Sequence, residues 1–219
     1  ISDVVEKNNF IPRIIVNTHE HWDHIQGNDF LVKKYDLDVL YHENYEKAYP
    51  GITKTVVSGE ELHLGETISL KFLSSPGHTE SHLTMLLTEN NKKWAVFSGD
   101  TLFNAGVGNC KNGGNPKVLY ETICSIYDQL EDEVIVYPGH DYLESNLNFT
   151  LSIEKNEFAK SLLNKQKAEY NDVPLSMAVE RKINLFLCMN RKLLKKNDKF
   201  AENSDEQIFI KLRKLRDNW

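Results

Sequence analysis

The chain is expected to fold as an α/β body followed by a helical tail, and two patterns predict it. Up to about residue 144, short apolar or alternating runs of strand length are separated by turn residues and by stretches with helical spacing. Beyond that point apolar residues recur at helical intervals, over residues 153–170, 176–187 and 205–216. The chain therefore divides into a first unit, residues 1–144, and an all-helical second unit, residues 145–219.

In chain order, residues 2–9 read as a short helix and residues 13–16 as a buried strand. Residues 26–34 have helical spacing, residues 38–41 form a strand and residues 43–48 a short helix. Residues 61–73 hold strand segments around the turn Leu64-Gly65-Glu66. Residues 83–87 and 94–98 form a hairpin across the polar stretch Glu89-Asn90-Asn91. Residues 116–130 read as a helix with Pro116 at its start, where a missing N–H has no intrahelical partner to lose. Residues 133–137 complete the strands of the body.

Four strand-like stretches run into segments rich in metal-ligand side chains. They are Thr18-His19-Glu20-His21-Trp22-Asp23-His24, Ser75-Pro76-Gly77-His78, Ser98-Gly99-Asp100-Thr101 and Tyr137-Pro138-Gly139-His140. Loops at strand ends converge on one edge of a sheet, where sites are usually built. Imidazole and carboxylate together suit zinc, iron or manganese. On an extended loop His19 and His21 point the same way and can share one ion, while Asp23 and His24 lie further along and can face another. A pair of ions ~3.5–4 Å apart needs a common ligand, and Asp100 is the best candidate because one carboxylate offers two oxygens. Water between two such ions has its pKa lowered to about 7 and becomes the nucleophile. Asp23 and Asp100 are thus the candidate catalytic carboxylates. No Gly-x-Ser-x-Gly segment is present, and no serine or cysteine nucleophile is required.

The order His-x-His-x-Asp-His, then His, Asp and His in later loops, resembles the metallo-β-lactamase superfamily. The strings at residues 17–28, 98–103 and 137–142 are most similar to its glyoxalase II branch, and the likeness runs from about residue 11 to about residue 186. The resemblance implies a four-layer αββα sandwich and hydrolysis of S-2-hydroxyacylglutathione thioesters. It also implies two divalent metals, with zinc favoured over iron or manganese. His19, His21 and His78 would hold the first and Asp23, His24 and His140 the second. Alternative functions for the chain under the same resemblance are a mononuclear iron persulfide dioxygenase and a lactone hydrolase.

Two departures from that pattern stand out. Only eighteen residues precede His19, so the first strands of the sandwich are expected to be missing, and an inactive truncated remnant is one alternative. The glutathione contacts also differ. Asn109 stands where the family has a lysine, Lys111 where it has a tyrosine, and Cys188 where an arginine clamps a carboxylate. Lys111, Arg191 and Lys192 are the candidate replacements.

Side chains near the motifs are read structurally. His42 is expected near a helix start, His63 exposed on a strand, and His82 behind the ligands as a support. Trp22 and Tyr142 are expected to pack, and Asp141 to hydrogen-bond its neighbours. Residues 181–219 hold eleven Lys/Arg against five Asp/Glu, in a chain of net charge −6. That basic stretch is either a solvated helical face or a rim that attracts an anionic thiol conjugate. Nucleic acid is a poor candidate as a partner because the chain as a whole is acidic. No apolar run is long enough to span a membrane. Cys110, Cys124 and Cys188 read as free thiols, which points to the cytoplasm. The partner expected is a small thioester, and the sequence leaves oligomeric state open.

Overall fold

The computed structural model describes residues 1–45, 54–168 and 174–219. The chain starts with α1 (Ser2–Lys7), β1 (Ile14–Val16), α2 (Trp22–Ile25), α3 (Asn28–Tyr35) and β2 (Asp38–His42). Strands β3 (Lys54–Val56), β4 (Glu61–His63), β5 (Ile68–Ser74), β6 (Leu83–Glu89) and β7 (Lys92–Gly99) follow. Two short strands, β8 (Leu102–Phe103) and β9 (Gly106–Val107), precede α4 (Pro116–Ser125) and β10 (Ile135–Pro138). The remainder is α5 (Leu143–Ile153), α6 (Glu157–Ala168), β11 (Leu175–Ser176), α7 (Met177–Ile183), α8 (Cys188–Leu194) and α9 (Asp205–Asp217).

Strands β1, β2 and β3 form a parallel sheet in that order. A second sheet runs β11-β10-β7-β6-β5-β4, antiparallel throughout except where β10 lies parallel to β7. Three apolar layers follow from the alternation of side chains across each strand. Leu40 and Val56 of the first sheet meet Leu70, Phe72, Leu83 and Met85 of the second. On the outer face of the first sheet, Val39 and Tyr41 pack with Ile25 and Val32. On the outer face of the second, Leu86, Val96 and Val136 pack with Leu119 and Ile123 of α4 and with Phe209 and Leu212 of α9. Helix, sheet, sheet and helix are thus stacked in four layers, as the resemblance implied.

Local chemistry explains the well-read elements. Asn90 and Asn91 both take positive φ, which closes the β6–β7 hairpin with the twist that flanking strands prefer. Asn115 accepts from the N–H groups of Lys117 and Val118, capping α4 ahead of Pro116. Ser204 and Gln207 form a reciprocal capping box at the start of α9.

Several elements differ from expectation. The helix expected over 116–130 ends at Ser125 and continues as a 3-10 turn, Tyr127–Gln129. The helix expected over 153–170 is α6, which begins only at Glu157 because the chain turns extended at Glu154 after α5 ends at Ile153. Residues 169–170 lie outside the described residues. Helical order begins earlier than residue 153, at Leu143. The stretch 176–187 is helical only to Ile183, where Asn184 turns extended. The second part of the chain is not all helical either, since β11 adds to the edge of β10. The strand expected to be buried at 13–16 is a half-buried edge strand. Of the helix expected over 43–48, Glu43 and Asn44 form a turn and residues 46–48 lie outside the described residues.

Candidate metal centre

All four ligand segments meet at one end of the two sheets. His19 and His21 lie on the loop after β1, and Asp23 and His24 ride on the single turn α2. His78 follows β5, Asp100 follows β7 and His140 follows β10. Gly99 delivers Asp100 by adopting a φ of +49°, and a Cβ there would stand 2.7 Å from Nε2 of His82. A side chain at Gly139 would run into the Asp100 carboxylate. Glycine is required at Gly99 by its positive φ and the closeness of Thr18 and His82, and at Gly139 by the closeness of Asp100 and His24.

The ligand atoms form two groups. Nδ1 of His21 stands 3.1 Å from Nε2 of His19 and 2.9 Å from Nε2 of His78. Nε2 of His140 stands 3.2 Å from Nε2 of His24 and 3.1 Å from Oδ2 of Asp23. Asp100 lies between them. Its Oδ1 is 3.2 Å from His24, while its Oδ2 is 3.6 Å from His78 and 3.5 Å from His140. A tetrahedral ion with bonds of ~2.0–2.2 Å has ligand-to-ligand edges of about 3.3–3.6 Å, so both groups have the scale of coordination shells.

Hydrogen bonds behind the ligands orient them. Nδ1 of His78 donates to the Asn109 carbonyl at 2.6 Å, leaving its Nε2 lone pair for the centre. Nε2 of His21 donates to the Asn112 carbonyl at 3.2 Å, leaving Nδ1 inward. Nδ1 of His19 is held by Thr18 Oγ1 at 3.0 Å. Burial, then the neighbouring imidazoles, drives the pKa of His19 far down, and burial also lowers that of His78. Both are therefore neutral and ready to ligate. At His24 burial disfavours charge, but the carboxylates of Asp100 and Asp23 outweigh it and raise the pKa. Oδ1 of Asp100 is buried and accepts no hydrogen bond from the described residues, which suits an oxygen that serves a cation. The donor set and this orphaned oxygen fit two metal ions sharing Asp100. All seven sequence-predicted ligands are thus brought together.

The substrate candidates divide. Lys111 is exposed and lines a cavity of about 320 Å³ whose wall includes Phe103 and Tyr142, the two rings against His140, and its Nζ donates to the Asp217 carbonyl. Phe103, Tyr142, Arg213, Arg216 and Trp219 also line it. Arg191 does not reach this cavity. It is 0% exposed, its guanidinium held by Asp128, the Phe186 carbonyl and Cys124 Sγ. Lys192 points to solvent on α8, away from the cavity lining. The cavity arginines come from α9, and the signal for them was the positive excess of residues 181–219. Their placement needed the packing of α9 against the body.

Neighbouring residues complete the picture. Tyr142 stacks on His140 with ring centres 5.3 Å apart, so it walls the site, while Trp22 is 70% exposed and neither packs nor walls it. Asp141 accepts from the Leu143 N–H, as expected of a neighbour. His63 is exposed. His42 ends β2 instead of starting a helix, with Nε2 2.9 Å from Ser74 Oγ. His82 lies fully buried behind His19, their rings stacked 5.0 Å apart. Cys110, Cys124 and Cys188 are free. No helix among the described residues is long and apolar enough to cross a membrane.

Comparison with known proteins agrees with this geometry. A family model described as the metallo-beta-lactamase superfamily matches residues 5–140, and one described as the hydroxyacylglutathione hydrolase C-terminus matches residues 141–219. The likeness therefore extends past residue 186 to the end of the chain. A hydroxyacylglutathione hydrolase of Nitrosococcus oceani is 38% identical over 214 residues, covering 94% of this chain and 81% of that protein. One from Dictyostelium discoideum is 36% identical, covering 79% of this chain and 67% of that protein. The structure of ETHE1 from Myxococcus xanthus superposes with a TM-score of 0.64 at 23% identity. It covers 98% of this chain and 74% of that one, and supports the fold. The chain belongs to the metallo-β-lactamase superfamily and, within it, to the hydroxyacylglutathione hydrolases.

Proposed function

We propose that this protein is a metal-dependent hydrolase that splits S-2-hydroxyacylglutathione thioesters into a 2-hydroxy acid and a thiol. The observation that carries the reading is the convergence of two ligand groups on Asp100, beside a cavity lined by Lys111, Arg213 and Arg216. His19, His21 and His78 would hold one divalent ion and Asp23, His24 and His140 the other, with Asp100 common to both. This donor set suits zinc, iron or manganese, and zinc is the one the family resemblance favours. Such a pair, when bound, supplies Lewis acidity and a water ionised near neutral pH.

The chain's own groups supply position and charge. Asp23 is 54% exposed, the most open of the seven side chains, and its carboxylate would orient the water that the metals activate. Tyr142 and Phe103 exclude solvent from the His140 side. Lys111 and Arg216 present positive charge to the anionic end of the thiol moiety. The leaving thiolate is weakly basic, so departure requires no general acid. Three free cysteines fit a reducing compartment, and we place the protein in the cytoplasm.

The test is metal content per chain together with hydrolysis of S-lactoylglutathione by the wild type and by Asp100→Ala. Two metals and turnover are expected in the wild type. The variant is expected to release at least one metal and most of the rate. Full metal content at an unchanged rate in the variant removes Asp100 from the mechanism. One iron per chain and oxygen consumption with a persulfide would instead indicate a dioxygenase.

A further inference from the structure

Glu20 stands between two ligands and grips the loop that carries a third. Its Oε2 accepts from Thr79 Oγ1 at 3.1 Å and from Ser81 Oγ at 2.9 Å. A carboxylate only accepts when ionised, so both hydroxyls must donate. Thr79 follows His78 and is 1% exposed, and Ser81 precedes His82 and is 6% exposed. The two loops leave different sheets, one from β1 and the other between β5 and β6. One oxygen atom therefore ties the first sheet to the second within one residue of His19, His21 and His78. The main chain repeats the link, since the Leu83 N–H donates to the Thr18 carbonyl at 2.6 Å.

Residues 19 and 21 direct nitrogens to one centre while residue 20 contacts Thr79 and Ser81, the alternation an extended loop imposes. His21 has the extended dihedrals this needs, φ −62° and ψ 144°. Glu20 is thereby set apart from ligation and left free to hold.

We infer that Glu20 is a positioning residue for the first metal: through Thr79 and Ser81 it sets the loop of His19 and His21 against the loop of His78. This rests on the two-metal reading proposed above. Support of this kind typically changes metal affinity by ~10–100-fold. The tether is a matter of accepting two hydrogen bonds, not of charge. Glu20→Gln keeps an oxygen that accepts both, whereas Glu20→Ala keeps none.

The experiment titrates a chelator against the zinc-loaded wild type, Glu20→Ala, Glu20→Gln and the Thr79→Val/Ser81→Ala double variant. Cobalt(II) spectra report the first site independently of turnover, and thermal melts of the metal-free proteins report folding. The expected result is loss of one ion from Glu20→Ala and from the double variant at ~10–100-fold lower chelator. The other ion should stay bound, and Glu20→Gln should match the wild type. Wild-type affinity in Glu20→Ala, or loss in Glu20→Gln equal to that in Glu20→Ala, overturns the inference while the wild type still holds two ions. A wild type that never holds two ions sinks the two-metal reading, and this inference with it.

Discussion

The main-chain N–H of Asp100 donates to Nε2 of His82 at 3.1 Å. A backbone amide can only donate, so Nε2 is unprotonated and the His82 proton sits on Nδ1, within reach of Ser75 Oγ at 2.8 Å and Thr101 Oγ1 at 3.1 Å. Burial first, and then His78 and other imidazoles, holds His82 well below the ordinary histidine pKa, which agrees with a neutral ring. His82 thus fixes the backbone of the shared ligand while its ring backs His19. Replacing it with Ala leaves the Asp100 amide unpaired and opens a hole. The expected cost is about 3–5 kcal/mol of stability, with weaker binding of both metals. Denaturant unfolding and metal titration would read the two effects, and an unchanged metal affinity would reduce His82 to a packing residue.

Arg216 is the cavity residue whose loss should be felt in binding. Its Nη2 donates to Ser145 Oγ at 2.8 Å, and its guanidinium also faces Asn146 and Trp219 on the cavity wall. A charge-assisted hydrogen bond contributes ~1.5–3 kcal/mol, so Arg216→Ala should raise KM for S-lactoylglutathione about 10–100-fold. kcat should change little. Lys192→Ala should leave both constants unchanged. Equal effects from the two variants would argue against the cavity as the thiol subsite.

Arg191 should behave in the opposite way. Its Nη2 lies 3.3 Å from Oδ2 of Asp128, whose side chain is itself largely covered. Removing one partner of a buried pair strands the other, at a cost of about 3–5 kcal/mol. Arg191→Met is therefore expected to lower the unfolding midpoint sharply while the folded fraction keeps its KM. A raised KM in a variant of normal stability would restore Arg191 as a substrate contact.

Glu180 introduces a pH dependence of stability. Its carboxylate is fully buried on α7 and accepts from Asn104 Nδ2, the Ala105 N–H and Asn184 Nδ2. Burial outweighs these three donors and pushes its pKa up to about 7, from an ordinary 4.5. Between those values the folded chain holds a proton that the unfolded chain has lost. The stability from this group is therefore fully present below about 4.5 and is lost as pH rises through about 7. The span amounts to on the order of 3 kcal/mol at most. Urea unfolding at pH 5, 6, 7 and 8 should show the wild type losing stability relative to Glu180→Gln across this range. A constant difference would mean that Glu180 titrates normally.

The metal ligands were legible because they lie close together in sequence or end recognisable strands. His19 to His24 fall within six residues, and Gly77-His78, Gly99-Asp100 and Gly139-His140 each follow an apolar run that the period of two identifies. The hairpin at Asn90-Asn91 and the capped starts of α4 and α9 were legible for the same reason, since turns and caps act through immediate neighbours. The break between α5 and α6 was not, because Glu154 and Lys155 have no helix-breaking chemistry of their own.

Local spacing and residue type alone determined the α/β order and singled out the seven His and Asp side chains that the fold brings together. Only the tertiary structure decided which cations line the cavity. Arg191 and Arg216 are indistinguishable as basic residues on helical stretches, yet α8 turns Arg191 into the core against Asp128 while α9 carries Arg216 to the cavity that Lys111 also lines. The difference depends on how helices dock on a distant sheet face. That docking is set by the combined burial of Phe186, Phe209 and Leu212 against residues as distant in the chain as Leu86, and no single stretch of sequence contains it.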